Sequence, residues 1–285
     1  MDLIFKYMKD ALWLQQYFCE HFEEDINVYE TLFQNQEHAL ATIPDDQGAS
    51  KGKVKDAIIQ LILSKKRNEW IRKRLSEFYY FTEEQEQNNI LEIIIDMLNG
   101  SRKELLAFVK RLDEPNELEK AVYSSLESDT VSIDSLLTFR LKEYFERLET
   151  YIEIAIDEYK MEQDYQIYVQ TLRDYLKNRE ARIAHINLYF EEYGKFYNEQ
   201  FQEISKNEMS ELLDRRLLTN HPIYIDSATI APLLSIAPTN IFIYTNEPDS
   251  GLIRTICNIF EERVTILSKE IFLQAKKHPR VLNES

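Results

Sequence analysis

The stretch that decides the fold is "SIDSLLTFRLKEYFERLETYIEIAIDEY", residues 132–159. Its apolar residues recur at a helical rhythm, and at about 100° per residue they fall on one face. Glu149, Glu153 and Asp157 follow one another four residues apart on the other face. Like charges at this spacing destabilise a helix by roughly 0.2–0.5 kcal/mol per pair. The stretch therefore predicts a helix with one buried face, and its carboxylates require an explanation: water, catalysis, a metal ion or a basic partner.

The composition favours helices in the rest of the chain as well. Hydrophobic residues make up 44% of the 285 residues, with 17 Tyr and 15 Phe, which is enough for a sizeable core. Only 5 Gly and 7 Pro interrupt the chain, which disfavours glycine-rich loops. We therefore expect an α+β protein, with a predominantly helical middle region and small α/β units at the N- and C-termini.

Sequence patterns divide the chain into four stretches. Residues 1–41 change from strand-like to helical and back, which predicts a small βαβ-like unit. Residues 42–52 gather Pro, Asp and Gly and predict a linker or loop, whereas residues 53–183 are helical. Residues 184–285 predict a C-terminal α/β unit, with a hairpin around Gly194 and then a parallel strand–helix–strand crossover.

Local signals indicate where helices of the middle region begin and end. Thr82, with Gln85 three residues later, matches a capping box. Gly100 stands where a helix ends, and Ser132 is an N-cap for the quoted stretch. After Met161 the apolar stripe moves by roughly 80°. The helix either breaks there or continues with a new neighbour, and we favour a kink or break.

Charge and cysteine content indicate the compartment. The net charge is −16 at pH 7, which opposes nonspecific binding of the whole surface to nucleic acid or to an anionic membrane. No apolar run reaches the roughly 18 residues of a membrane span, and the first residues lack the pattern of a signal peptide. Cys19 and Cys257 provide neither a disulfide framework nor a zinc ligand set. We therefore expect a soluble protein of the cytoplasm.

Motifs typical of catalysis or cofactor binding do not occur in the sequence. There is no Walker A, Gly-x-Gly-x-x-Gly, His-Glu-x-x-His or Gly-x-Ser-x-Gly pattern. A di-metal carboxylate bundle needs Glu-x-x-His motifs, which the chain lacks. A glycosidase-like pair needs a second carboxylate across a cleft, and nothing in the sequence places one. We therefore expect no metal, no cofactor and no catalytic residue, and we interpret the carboxylates as a solvated face or as partners of a basic surface.

A basic segment, residues 51–74, is present in the same chain. It carries nine Lys or Arg against only Asp56 and Glu69. This concentration indicates either an intramolecular partner for the acidic segment, residues 143–164, or a site for an acidic molecule. Because exposed ion pairs contribute only about 0–1 kcal/mol each, intramolecular pairing would orient the helices more than stabilise them. The candidate partner-binding residues are Lys65, Lys66, Arg67, Arg72, Lys73 and Arg74.

The acidic segment and the C-terminal region together resemble a known family. The stretch "SIDSLLTFRLKEYFERLETYIEIAIDEYKMEQDYQIYVQTLRDYL", followed by "LLSIAPTNIFIY" and "FEERVTIL", is similar to the YtxC-like family of sporulation proteins from endospore-forming Bacillus-type bacteria. The likeness covers the C-terminal half in sequence and the rest in length and order. It implies a soluble cytoplasmic protein linked to sporulation. The family has no established enzyme activity, so no functional residue is carried over.

These observations lead to one main expectation and two alternatives. We expect a non-enzymatic interaction or regulatory protein of sporulating cells, whose helical region binds an unknown protein partner. One alternative is an enzyme with a cleft between the helical region and the C-terminal α/β unit, which would need convergent polar residues with shifted ionisation. The other is nucleic-acid binding through the basic segment, with an affinity that falls steeply with salt.

Overall fold

The computed structural model describes residues 1–33, 36–44, 50–177, 179–191, 194–214, 226 and 228–277. Internal contacts divide the chain into two units, Met1–Met161 and Glu162–Ser285. Each unit has its own four-stranded sheet and its own hydrophobic core. The α+β class with a helical middle region is therefore confirmed. Part of the predicted loop 42–52, residues 45–49, lies outside the described residues.

The sheet of the first unit combines antiparallel and parallel pairing. Its strands are β1 (Asp2–Phe5), β2 (Asn27–Phe33), β3 (Gln36–Thr42) and β4 (Thr130–Ser132). The strand order is β2–β3–β1–β4. β3 pairs antiparallel with both of its neighbours, and β1 pairs parallel with β4. The residue that follows β1 and the residue that follows β4 thus lie at the same edge of the sheet.

Helices form the rest of the first unit. They are α1 (Met8–Phe22), α2 (Ser50–Leu61), α3 (Arg67–Glu77), α4 (Glu84–Leu98), α5 (Glu114–Ser125), α6 (Ile133–Ser135) and the part of α7 (Lys142–Leu176) up to Met161. Two π-helical turns, Ile62–Lys66 and Leu136–Arg140, follow α2 and α6, and a 3₁₀ turn spans Leu105–Phe108. Apolar residues at helical spacing, such as Leu61 and Leu148, are completely buried. Each buried leucine of this kind stabilises the fold by roughly 1.5–3 kcal/mol.

The long helix α7 is unbroken over Lys142–Leu176, so the break predicted near Met161 is wrong. Neither Gly nor Pro interrupts this stretch, and these are the residues that usually break a helix. Leu148 is buried in the core of the first unit, whereas Val169 and Leu172 are buried in the core of the second. The apolar stripe moves because the two halves of one helix contribute to different cores.

Proline at Met161 tests this continuity. The Met161 side chain is 67% exposed, so its removal costs little, but proline removes a helical hydrogen bond and clashes with the preceding turn. We expect Met161→Pro to lower the free energy of unfolding by about 3 kcal/mol, measured by urea denaturation followed by circular dichroism. Met161→Ala, the matched control, should stay within about 0.5 kcal/mol of the wild type. Equal effects of the two variants would contradict a continuous helix.

Two of the three predicted helix boundaries are confirmed. Gly100 has a φ of 78° directly after Asn99, the C-cap of α4, a conformation that glycine adopts without strain. The Ser132 side chain accepts a hydrogen bond from the backbone N–H of Ser135. The capping box at Thr82 is wrong: the N-cap of α4 is Glu83, and its side chain makes no capping bond. Thr82 lies one residue too early to reach the exposed N–H groups of the first turn.

The second unit contains the predicted hairpin and crossover. Its strands are β5 (His185–Phe190), β6 (Gly194–Tyr197), β7 (Asn240–Tyr244) and β8 (Val264–Leu267). Its helices are α8 (Lys206–Leu212), α9 (Ile230–Ile236), α10 (Gly251–Phe260) and α11 (Lys269–Lys277). The strand order is β6–β5–β7–β8. β5 and β6 form the antiparallel hairpin, and β7 runs parallel to β8, with α10 in the connection between them.

Candidate functional site

Two π-helical turns contribute to one groove on the first unit. In the turn Ile62–Lys66, the N–H of Arg67 bonds to the carbonyl of Ile62. In the turn Leu136–Arg140, the N–H of Leu141 bonds to the carbonyl of Leu136 at 3.1 Å. Such i→i+5 turns are rare and often occur at functional sites. The aromatic groove, as we name it, has a volume of about 600 Å³ and is lined by Lys66, Trp70, Arg74, Leu137, Thr138, Lys142, Phe145, Glu146 and Glu149.

Two aromatic rings provide the apolar surface of the aromatic groove. The ring centroids of Trp70 and Phe145 are 4.8 Å apart, and their planes are tilted by 34°. Phe145 is buried, whereas Trp70 is only half-buried. An aromatic pair of this kind contributes about 0.5–1.5 kcal/mol beyond the burial of its surface. The accessible part of the indole ring can therefore receive an apolar side chain on a rigid support.

Arg74 is a preorganised cation in the wall of the aromatic groove. Its Nε and Nη2 atoms donate to the two carboxylate oxygens of Glu149, each at 2.8 Å. The hydroxyl of Tyr79 donates a further bond to Glu149 at 2.8 Å. Burial, and then the carboxylate of Glu149, raise the pKa of Tyr79 above its ordinary value, so the hydroxyl keeps its proton. The guanidinium of Arg74 also lies 3.4 Å from the centroid of the Phe78 ring.

Lys66, a second cation of the wall, is held by a buried carboxylate. Its ammonium pairs with Asp10 and, at 2.9 Å, with Glu69. Asp10 is 2% exposed and also pairs with Lys65 at 2.8 Å. Burial alone raises the pKa of Asp10, but the hydrogen bonds from the two lysines outweigh it and lower the pKa. Burial alone lowers the pKa of Lys66, but the bonds to its two carboxylates raise it above the ordinary value.

Lys142 is the accessible cation of the aromatic groove. Its side chain is 70% exposed, and its ammonium lies 3.6 Å from the carboxylate of Glu146, which is itself 62% exposed. Thr138, on the preceding π-helical turn, is exposed as well. An ion pair so open to water contributes little to stability. Lys142 can therefore leave Glu146 and pair with a carboxylate of another molecule at a small cost in free energy.

Two of the six candidate partner-binding residues line the aromatic groove, namely Lys66 and Arg74. Lys65 lies beside them and shares the buried carboxylate of Lys66. Arg67 instead lines a second cavity of about 740 Å³ and pairs with Glu114 at 2.9 Å. The structure thus brings three of the six together and places Arg67 at a different cavity.

The remaining two candidates differ in exposure. Arg72 is half-buried and donates to the side-chain oxygen of Asn88 at 2.6 Å. Lys73 is 68% exposed, and its ammonium lies 3.9 Å from Glu77. All six candidates have a polar partner within the chain, and among them Lys73 alone is largely exposed to water. The partner-binding role of the six residues stays a prediction.

The acidic segment meets the basic segment through the Arg74–Glu149 ion pair. Both segments lie within the described residues. Glu153 and Asp157 are exposed. Glu158 pairs at 3.0 Å with an arginine outside the basic segment. Of the three carboxylates at four-residue spacing, one therefore helps to build the aromatic groove and two are solvated.

Sequence reasoning missed three residues of this site, Asp10, Lys142 and Phe145. Asp10 resembles any acidic residue in the first turn of a helix, and it lies 56 positions from Lys66. Phe145 follows the apolar period of α7 and therefore resembles an ordinary core residue. The π-helical turns contain no Gly or Pro, so no local signal marks the place where the groove forms.

The part of the chain that the structure describes shows neither a cluster of metal ligands nor a membrane-crossing helix. No three His, Cys, Asp or Glu side chains lie together there in an arrangement that could hold a metal ion. No helix in these ranges combines the length and the apolar character needed to cross a membrane.

Known proteins match the sequence over most of its length. A family model, described as the YtxC-like family, matches residues 52–265. The chain belongs to the YtxC-like family. A YtxC relative from Bacillus subtilis (strain 168), described as an uncharacterized protein, is 36% identical over 220 residues, which are 77% of this chain and 78% of the relative. No solved structure matches the chain.

Membership in the YtxC-like family confirms the resemblance inferred from the sequence. The matched range begins at residue 52 and includes every residue that lines the aromatic groove. Asp10, which holds Lys66 from α1, lies before that range. The YtxC-like part of the chain therefore supplies the groove, and the N-terminal stretch supplies one of its supports.

Proposed function

We propose that this YtxC-like protein is a non-enzymatic interaction or regulatory protein of sporulating cells, and that it binds a segment of a protein partner in the aromatic groove. The observation that supports the proposal is the Trp70–Phe145 pair beside the cations Lys66, Arg74 and Lys142. The sporulation part of the proposal rests on the family resemblance. The proposed compartment is the cytoplasm.

The chemistry of the aromatic groove supports a specific kind of partner segment. A large apolar side chain would pack on Trp70, because tryptophan and arginine are enriched among the residues that dominate binding energy at interfaces. A carboxylate next to that side chain would pair with Lys142, whose present contact with Glu146 is solvated. Arg74 is already paired with Glu149. Its proposed role is therefore to hold the wall of the aromatic groove in place rather than to pair with the ligand. The proposed ligand is an acidic segment with one aromatic or large aliphatic anchor.

Site-specific photocrosslinking in sporulating cells tests this proposal. Thr138 lines the aromatic groove and is exposed, so a photoreactive amino acid at this position leaves the core intact. We expect one discrete protein adduct, identified by mass spectrometry. Lys142→Glu should reduce its yield several-fold, because a like charge then opposes the acidic segment.

The controls separate the aromatic groove from the rest of the surface. The photoreactive amino acid at Lys120, an exposed residue of α5, should not yield the same adduct. Lys120→Glu makes the same charge change as Lys142→Glu and should leave the adduct at Thr138 unchanged. Lys73→Glu tests the most exposed of the six candidate residues. An adduct that forms equally from both positions, or that is insensitive to Lys142→Glu, would contradict the proposal.

A further inference from the structure

A short loop of the first unit carries apolar residues between two pairs of cations. Its sequence is "RKELLAFVKR", residues 102–111, and we name it the 102–111 loop. The 3₁₀ turn Leu105–Phe108 lies at its centre. Apolar residues flanked on both sides by Lys or Arg are typical of segments that rest on a membrane surface.

The apolar residues of the 102–111 loop divide into an anchor and a tip. Leu105 is buried in the core of the first unit and fixes the loop to it. Ala107 is exposed, and the Phe108 ring is 75% exposed. Single exposed apolar residues are common on protein surfaces. The tip is notable because it combines an exposed ring, a buried anchor three residues before it and cations on both sides in the sequence.

Three of the cations in the 102–111 loop are available to another molecule. Lys103, Lys110 and Arg111 are all exposed, and within the described residues none of their side chains forms an ion pair. Glu104 is the one acidic residue of the loop. The loop is therefore a locally basic surface in a chain whose net charge is −16.

We propose that the 102–111 loop docks reversibly on the surface of an anionic phospholipid bilayer. Phe108 would enter the boundary between headgroups and acyl chains, and Lys103, Lys110 and Arg111 would lie against lipid phosphates. One apolar anchor combined with a basic patch gives weak, reversible attachment. This attachment does not involve a membrane-crossing segment.

The charge of the loop and the form of its tip favour a bilayer over a protein partner. A bilayer takes up an exposed ring without a preformed pocket, and its anionic headgroups complement three unpaired cations. The acidic remainder of the chain opposes this attraction weakly, because charges more than about 8 Å from the lipid are screened at physiological ionic strength. The 102–111 loop does not line the aromatic groove, and its docking on a bilayer requires no role in sporulation. The two proposals can therefore be tested independently.

Cosedimentation of the full chain with vesicles tests the proposal. The probe is a vesicle of equal parts phosphatidylglycerol and phosphatidylcholine, compared with one of phosphatidylcholine alone. We expect binding to the anionic vesicle at low salt that weakens as salt is added. Phe108→Ser should weaken this binding roughly tenfold. Reversal of the charges on Lys103, Lys110 and Arg111 should weaken it by at least about fivefold per residue, because loss of one positive charge near the lipid alone accounts for about that much.

Matched controls are available on α5 of the same unit. Tyr123 is 69% exposed, and Tyr123→Ser should bind anionic vesicles like the wild type. Lys120→Glu should do the same, because this lysine lies outside the loop. Phe108→Trp adds a reporter whose fluorescence should be quenched by lipids brominated in the acyl chain, beyond any quenching of Trp13 and Trp70 in the wild type.

Three results would overturn the proposal. The first is no binding of the wild type to anionic vesicles at low salt, which would leave a protein with an apolar pocket as the partner of the tip. The second is equal binding by the wild type and the Phe108→Ser variant. The third is equal loss of binding in the control variants, which would show that the attachment does not involve the 102–111 loop.

Discussion

Replacing Asp10 by asparagine should lower the free energy of unfolding by about 3–5 kcal/mol at neutral pH. Asp10 is 2% exposed and pairs with both Lys65 and Lys66. Asparagine keeps the shape but leaves Lys65 without its carboxylate and Lys66 with Glu69 alone, and the Lys66 side chain is only 11% exposed. Lys65, at 22%, can turn towards water, so the lower end of the range is expected. Urea denaturation of the full chain, followed by circular dichroism, measures the loss.

The effect of Asp10→Asn should depend on pH in one direction. The pKa of Asp10 is lowered from its ordinary value of 3.8, because the bonds from Lys65 and Lys66 outweigh burial. The stability that this carboxylate contributes is therefore complete above its ordinary pKa, and it is lost as the pH falls through the lower pKa of the folded state. The difference between the wild type and the variant should be constant near neutral pH and should shrink in strong acid.

Two comparisons separate the buried pair from a general effect of charge. Asp157→Asn removes an exposed carboxylate and should change stability by less than about 0.5 kcal/mol. The double variant Asp10→Asn with Lys66→Met should be less destabilised than the sum of the single variants, because the largely buried cation that has lost one of its two carboxylates is gone. Additive losses would show that Asp10 and Lys66 do not act as a pair.

Replacing Glu114 by alanine is expected to have an effect of similar size. Glu114 accepts hydrogen bonds from Arg67 at 2.9 Å and from the Tyr144 hydroxyl at 2.5 Å. The side chains of Arg67 and Glu114 are each 12% exposed. Alanine leaves a largely buried guanidinium without a counter-charge and a buried hydroxyl without an acceptor, which costs about 3–5 kcal/mol. Urea denaturation measures the loss.

The state of Tyr144 provides a second measurement for this network. Burial, and then the carboxylate of Glu114, raise the pKa of the Tyr144 hydroxyl above its ordinary value. In Glu114→Gln the amide oxygen still accepts a hydrogen bond, but the charge that opposes ionisation is gone. The pKa of Tyr144 should therefore fall in this variant, and absorbance titration of the tyrosines at high pH measures the change.

A matched control and a rescue sharpen the Glu114 prediction. Glu119, on the same helix, is 56% exposed and pairs with Lys55; Glu119→Ala should cost less than about 1 kcal/mol. Exchange of both partners for apolar residues, Arg67→Met with Glu114→Leu, should restore part of the lost stability, because buried ion pairs are often replaced without cost, while the Tyr144 hydroxyl still lacks its acceptor. If Glu114→Ala and Glu119→Ala had the same small effect, the buried network would not contribute to the fold as described.

Local sequence signals determined much of the fold. The apolar period within residues 142–159 corresponds to the buried face of α7, Gly100 ends a helix, and the hairpin forms around Gly194. These predictions depend on residues a few positions apart, where backbone geometry and side-chain spacing control the outcome. The same stretch, together with the C-terminal region, carries the resemblance to the YtxC-like family.

Local signals were wrong where two outcomes have similar energies. Thr82 matches a cap, but α4 begins after Glu83, because a shift of one residue costs little at a helix end. The shift of the apolar stripe after Met161 is compatible, in the sequence alone, with a break or with a continuous helix. Separate cores for the two halves of α7 decide in favour of the continuous helix.

The sequence by itself determined the α+β class, the helical middle region and the absence of familiar catalytic motifs. Only the tertiary structure decided the partners of the charges. Arg74 and Glu149 are 75 positions apart, and Lys66 and Asp10 are 56 apart, so their contacts depend on how distant helices pack. The aromatic groove has the same origin, because it forms where packing places two π-helical turns beside Trp70 and Phe145, and no pattern of neighbouring residues encodes that arrangement.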